Sequence, residues 1–193
     1  TTEIYTLSLH DALPIWEPFI VGKSMDQNNI AVFDYFPALN ECLSENYNSW
    51  NELIEAYEEK NKKRFKAFLE SVDDTKWAKD PLVSLFTSGC QKKDISEGAA
   101  KYNNYGITTV AISNVVDSLL NIKNLMNMGI SIQDINCNRN REGLSKHFGH
   151  DEDDAIELTN RLSLGLAEVA RDFKNKLGGT VKFGLSSPGY NIL

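Results

Sequence analysis

Few residues here have the chemistry to hold a metal or attack a substrate, and they are scattered. His147-Phe-Gly-His150, followed by Asp151, has the H-x-x-H spacing and adjacent acid that zinc sites favour. A zinc site also needs a third and fourth ligand at sensible spacing. A loop running into an acid-capped helix is therefore the preferred reading, and no metal is expected. Ser88-Gly89-Cys90 invites a nucleophile reading. A catalytic thiolate needs a nearby base or a helix N-terminus, whereas Cys90 is expected late in a helix, the unfavourable end, which makes it structural. Cys42, Cys90 and Cys137 are odd in number, far apart and form no CxxC pair. A reducing compartment follows as the default. Neither GxGxxG nor GxxxxGK[ST] occurs. Taken singly, these residues disclose no activity.

Charge and hydropathy exclude some partners. The net charge is −7 over 193 residues, and the one dense basic run, Lys60–Lys66, lies beside Glu58 and Glu59. That run reads as a solvated helix face, so neither nucleic acid nor an anionic membrane is expected as a partner. No apolar run approaches the ~18 residues of a membrane span.

The elements that would position any site are mostly helical. Residues 16–33 read as a strand end followed by loop, and Asp34–Glu45 as a helix with Phe36, Leu39 and Leu43 near helical spacing. Ser49-Trp50-Asn51-Glu52 is a capping box that starts a helix to about Val72, with Leu53, Ile54, Tyr57, Phe65, Phe68 and Leu69 on its apolar face. Asp80-Pro81 caps a third helix, expected to reach about Gln91. A loop over Gly98–Gly106 leads to a strand, Ile107–Ile112, then a helix to Met128 that Gly129 ends. Ser131–Ile135 begins a short helix. Four acids, Asp151–Asp154, open the last one, whose apolar side runs through Leu162, Leu166, Val169, Phe173 and Leu177 to Gly178. Thr180–Leu185 reads as a strand. Short strands separated by long helical stretches imply α/β architecture with parallel strands; a self-contained helical domain is the competitor.

The first fifteen residues stand apart. TTEIYTLSLHDALPI has Glu3, His10 and Asp11 where a secretory signal has a basic start and a long apolar centre. Read back into codons, it resembles a common short-read sequencing adapter along its whole length, with one T left for the first base of codon 16. Residues 1–15 are thus expected to be adapter-derived and non-native, Trp16 only partly templated, and 16–193 the part that folds.

The stretch Asp80–Lys123, DPLVSLFTSGCQKKDISEGAAKYNNYGITTVAISNVVDSLLNIK, resembles a signature region of the glycyl radical enzymes, the pyruvate formate-lyase family. Pro81, Leu82, Ser84, Cys90, Asp94, Ile95, Gly98, Ala100, Tyr102, Asn103, Gly106, Asn114, Val115, Asp117, Ser118, Leu119, Ile122 and Lys123 fall on that pattern. Ala99 stands where a second glycine is usual. The resemblance implies a slice of a ten-stranded α/β barrel, helix-rich in this window. In that family a radical on a C-terminal glycine passes to a loop cysteine, whose thiyl radical acts on the substrate.

Many dehydratase and lyase members write the cysteine loop G-C-x-E-P, and Glu17-Pro18 fits its end. That places the thiyl cysteine one residue before Trp16, where this chain has Ile15, and makes Glu17 the surviving candidate for the catalytic shell. Dehydration after hydrogen abstraction needs proton transfer beside the radical carbon, which a carboxylate can supply; the plainer reading of Glu17 is an exposed loop acid.

The resemblance implies an anaerobic, cytoplasmic enzyme performing radical dehydration or C–X or C–C lysis of a small polar substrate. Its glycyl radical would be installed by a radical S-adenosylmethionine activating enzyme, and the whole enzyme would be a homodimer. No bound cofactor is implied for this stretch, which is expected to be inactive because the thiyl cysteine and the radical glycine lie outside it. The alternatives are formate C-acetyltransferase proper, cleaving a 2-oxo acid with coenzyme A, and a non-enzymatic helical interaction module.

Overall fold

In the computed structural model, residues 22–23, 27–134 and 153–185 are described. Residues 1–15, Trp16, Glu17, Cys137, His147, His150 and Asp151 lie outside the described residues. The chain runs β1 (Gln27–Asp34), α1 (Phe36–Leu43), α2 (Trp50–Asp73), α3 (Pro81–Leu85), a 3-10 turn (Ile95–Glu97), β2 (Tyr105–Val110), α4 (Ile112–Asn127), a second 3-10 turn (Ile132–Asp134), α5 (Asp153–Asp172) and β3 (Val181–Leu185). No described helix is long and apolar enough to cross a membrane.

Helical crossovers between successive strands force parallel pairing, and the strands form one sheet in the order β1-β2-β3. Phe33 lies opposite Thr109, and Ile107 opposite Phe183. Alternation along each strand sorts the two faces. Phe33, Tyr105, Ile107 and Val181 are buried in a core shared with Leu53, Phe65, Val115, Leu119, Leu162 and Leu166 of the helices. Val32, Asp34, Lys182 and Gly184, at the intervening positions, are exposed. One face of the sheet is thus sealed by helices and the other faces outward.

The caps read from sequence hold with one adjustment. Ser49 Oγ accepts the Glu52 amide at 3.3 Å, but the Glu52 carboxylate accepts the Asn48 amide at 2.9 Å, one residue beyond the cap. Asp80 caps α3 by accepting the Val83 amide at 3.0 Å.

Several boundaries differ from expectation. The stretch read as loop up to residue 33 is strand β1, because Ala31 to Asp34 pair with β2 and Phe33 enters the core. Ile112, assigned to the strand, opens α4 after Ala111 turns the chain at φ 66°. α3 stops at Leu85 rather than Gln91, since Gly89 adopts φ 102° and bends the chain back. α5 stops at Asp172 rather than near Gly178, because Lys174 bridges antiparallel to Thr180 around an Asn175-centred turn. The competing all-helical domain gives way to a sheet-based α/β fold.

Candidate functional site

The signature region builds a polar hairpin rather than a catalytic cluster. Asp94 is its hub: one carboxylate oxygen accepts the Asp80 amide (3.1 Å), the Ser96 amide (3.0 Å) and the Ser96 hydroxyl (2.6 Å). The other accepts the Ser84 hydroxyl at 3.0 Å, and Ser84 Oγ in turn accepts the Ile95 amide at 2.9 Å. These bonds, the Ser96 hydroxyl foremost, hold the Asp94 carboxyl well below the usual carboxylate range. The D-P-L-x-S-L and D-I-S segments are therefore two halves of one lock. Cys90 sits in the turn between them, not in a helix, and burial with the nearby Asp94 charge pushes its thiol up. That is the reverse of what a thiolate nucleophile requires.

A second polar knot binds the N-terminal ends of β2 and β3. Asn103 Nδ2 donates to the Ala100 carbonyl at 2.9 Å, and Asn175 Nδ2 donates to the Asn103 carbonyl at 2.8 Å. Asn175 Oδ1 accepts the Leu177 and Gly179 amides at 3.0 and 2.9 Å. Asn104 Oδ1 accepts the Thr180 amide and hydroxyl at 3.0 and 2.9 Å. Beside this knot Tyr105 donates its hydroxyl to Asp73 at 3.0 Å, and burial pushes that phenol up to about 12. Asn103 was in the signature pattern. Asn104 and Asn175 were not singled out; the turn-forming N-x-x-G-G run at Asn175 is the signal that marks the latter.

The hairpin also meets the chain just after the Glu17-Pro18 pair. The Ser88 amide donates to the Gly22 carbonyl at 2.7 Å, and the Tyr102 amide to the Lys23 carbonyl at 3.1 Å. Two open grooves flank the sheet edges. One, of about 370 Å³, lies between α5 and β3 and is lined by Ala170, Arg171, Lys174, Val181 and Phe183. The other, of about 320 Å³, lies against β1 and is lined by Val32, Phe33, Asp34, Pro37, Arg64 and Phe68. Among the described residues no group of three His, Cys, Asp or Glu side chains is placed to hold a metal.

A family profile described as pyruvate formate lyase-like matches residues 28–193. The chain belongs to that family. Solved structures similar to this pyruvate formate lyase-like chain include a glycyl radical enzyme from Archaeoglobus fulgidus, 26% identical with a TM-score of 0.74, the match covering 87% of this chain and 26% of that one. The glycerol-bound B12-independent glycerol dehydratase from Clostridium butyricum is 20% identical with a TM-score of 0.73, over 84% of this chain and 25% of that one. A Roseburia inulinivorans structure concerned with 1,2-propanediol dehydration is 24% identical with a TM-score of 0.69, over 88% and 27%. The chain therefore spans about a quarter of the length of these solved relatives.

The three parallel strands and their helices are a segment of the glycyl radical enzyme barrel. The signature residues Asp94 and Ser84 are brought together in one scaffold lock, and Asn103 belongs to the second knot. Glu17, the site candidate, lies outside the described residues, as do His147 and His150.

Proposed function

We propose that this chain is part of a glycyl radical enzyme that dehydrates, or cleaves a C–X or C–C bond in, a small polar substrate, with Glu17 as a carboxylate of the reacting site. The observation that carries this reading is Glu17-Pro18, set five residues before a segment tied to the family hairpin through Gly22 and Lys23. The radical, once installed, supplies hydrogen-atom abstraction through a cysteine one residue before Trp16. What this chain contributes is proton transfer: Glu17 holds or moves the proton of a substrate hydroxyl beside the radical carbon. The relatives named above for propanediol and glycerol share the fold with this chain; the choice of dehydration over acyl transfer to coenzyme A rests on Glu17, since the acyl-transferring branch uses adjacent cysteines. The whole enzyme works as an anaerobic, cytoplasmic homodimer with a radical S-adenosylmethionine activating enzyme as partner. Residues 1–15 are adapter-derived and 16–193 are barrel.

The test is the natural reading frame. Its codon at position 15 is expected to encode cysteine. The full-length enzyme, activated anaerobically, is expected to convert vicinal diols or related hydroxylated substrates to carbonyl products. Glu17→Gln should lower turnover by roughly 10²–10⁴-fold, the usual contribution of a positioned acid or base. Another residue at position 15, or full turnover by Glu17→Gln, overturns the assignment.

A further inference from the structure

We propose that Trp77, Tyr105 and Asp73 form a proton-coupled relay that discharges stray one-electron oxidation from the core of the fold to the protein surface. The inference goes beyond the reading of Glu17 and stands without it.

The three groups meet in the geometry such a step needs. Tyr105 is fully buried at the start of β2 and donates its hydroxyl to the Asp73 carboxylate at 3.0 Å. The same Asp73 oxygen accepts the Lys176 amide at 2.9 Å, which holds the carboxylate in place. The half-buried Trp77 ring stands edge-on to the Tyr105 ring, with centroids 6.1 Å apart and planes at 65°. Lys76 and Ala78, on either side of Trp77 in the chain, are exposed, so the ring pair runs from core to surface. The Trp77 indole N–H is itself buried and completes no hydrogen bond.

A buried phenol that lost an electron alone would become an uncompensated charge in the core, which is costly. Its oxidation is therefore easy only where the proton can leave in the same step. Burial keeps the Tyr105 hydroxyl protonated, with the neighbouring Trp77 N–H opposing it, so a proton is there to be moved. Asp73 lies within the ~2.6–3.2 Å over which a positioned carboxylate takes a proton.

The oxidant is a thiyl radical, the species that a radical enzyme working through a cysteine generates. One electron passes from Tyr105 to the thiyl sulfur, giving a thiolate that solvent reprotonates. The Tyr105 proton moves to Asp73, leaving a neutral phenoxyl radical. An electron from Trp77 and the proton returned by Asp73 restore Tyr105. The Trp77 radical cation then takes an electron from a small thiolate in solution, which departs as the new thiyl radical. Charge and atoms balance at each step, and the protein ends as it began.

Flash photolysis of the 193-residue chain tests the relay, with photogenerated ruthenium(III) tris-bipyridine as the oxidant and electron paramagnetic resonance of rapidly frozen samples as the readout. Without added thiol, the long-lived signal is expected to be a tyrosyl radical that Tyr105→Phe removes. Tyr47→Phe is expected to keep it, although Tyr47 also donates to a carboxylate, Glu45, at 2.6 Å. Asp73→Asn retains an acceptor for the hydroxyl but no base; the tyrosyl yield should fall and its slower formation in deuterium oxide should vanish. Added 2-mercaptoethanol should quench the signal quickly in the unaltered chain and slowly in Trp77→Phe.

An undiminished tyrosyl signal in Tyr105→Phe overturns the site. Equal yield and an equal isotope effect in Asp73→Asn overturn the proton coupling, and equal quenching in Trp77→Phe overturns the exit. The last two variants decide the proposal even if Tyr105→Phe loses its cooperative melt.

Discussion

Asn175→Ala should cost this fold about 3–4 kcal/mol. Asn175 is 4% exposed, and its amide makes close bonds to three main-chain groups: the Asn103 carbonyl at 2.8 Å and the Leu177 and Gly179 amides at 3.0 and 2.9 Å. Alanine deletes all three. The Leu177 amide is partly exposed and regains water. The Gly179 amide and the Asn103 carbonyl do not, since a Cβ on Gly179 would already lie 2.0 Å from the Asn103 oxygen and leaves no room for solvent. Two buried main-chain groups without partners cost about 1–3 kcal/mol each. A typical domain holds only about 5–15 kcal/mol in total. Urea unfolding followed by circular dichroism measures the loss. Exchange of the Tyr105 amide, which donates to the Thr180 carbonyl at 2.9 Å, reports whether the β2–β3 junction opens first. Asn175→Asp should fare little better, because it keeps the acceptor but turns a carboxylate oxygen toward the Asn103 carbonyl. A loss below about 1 kcal/mol for alanine would refute the reasoning. It would mean that the Asn175 amide to Gly179 carbonyl bond at 3.1 Å, with the Lys174–Thr180 bridge, holds the turn unaided.

Gly179→Ala and Gly184→Ala should part sharply in the same unfolding assay: the first drives a Cβ to 2.0 Å from the Asn103 oxygen and is expected to abolish cooperative folding, whereas the second meets nothing within 4 Å and should leave stability within about 0.5 kcal/mol. Asp94 has a depressed folded-state pKa, so its contribution is fully present above the unfolded value of about 4 and is lost only as pH falls through the lower folded value. Asp94→Asn should therefore flatten the acid limb of a melting-temperature-against-pH profile; an unchanged limb would place the acid-sensitive group elsewhere. Arg161 grips Glu58 with two bonds of 2.6 and 2.8 Å, joining α5 to α2. A double-mutant cycle with Arg161→Gln and Glu58→Gln should return a coupling of about 0.5–1 kcal/mol that shrinks in salt, because the pair is partly exposed.

How far the sequence disclosed this fold depends on the range of the interactions that decide each element. Ser49, Asp80 and Gly129 act within a few residues of themselves, and each marks the helix boundary expected of it. The ends of α3 and α5 were misjudged because apolar spacing continues past them, through Phe86 in one case and Phe173 and Leu177 in the other. What stops those helices is turn-specific or remote: Gly89 at φ 102° after α3, and Asn175 bonded to Asn103 across 72 positions after α5. The signature pattern was legible as a pattern, but its residues could not be sorted into scaffold and site without the geometry. In the sequence Asp94 is one pattern position among many; in the structure its partners are the hairpin's own amides and hydroxyls.

Among the described residues the two faces of the sheet are covered unequally. A parallel sheet is ordinarily covered on both faces. Here Phe33, Phe65 and Phe183 close one face with ring centroids 4.9 and 5.9 Å apart, while Val32 remains 54% exposed on the other. Gly106, Thr108 and Gly184 alternate with the core residues along β2 and β3, and Thr108 lies opposite both Val32 and Gly184. Small side chains in the middle of a strand leave space for another backbone or a ligand to approach. Closing the sheet into the family's barrel turns this row inward and pairs both free edges, whose grooves of about 370 and 320 Å³ lie beside β3 and β1. The helices and their polar locks cover one face of the sheet, and Val32 and Gly184 stay exposed on the other.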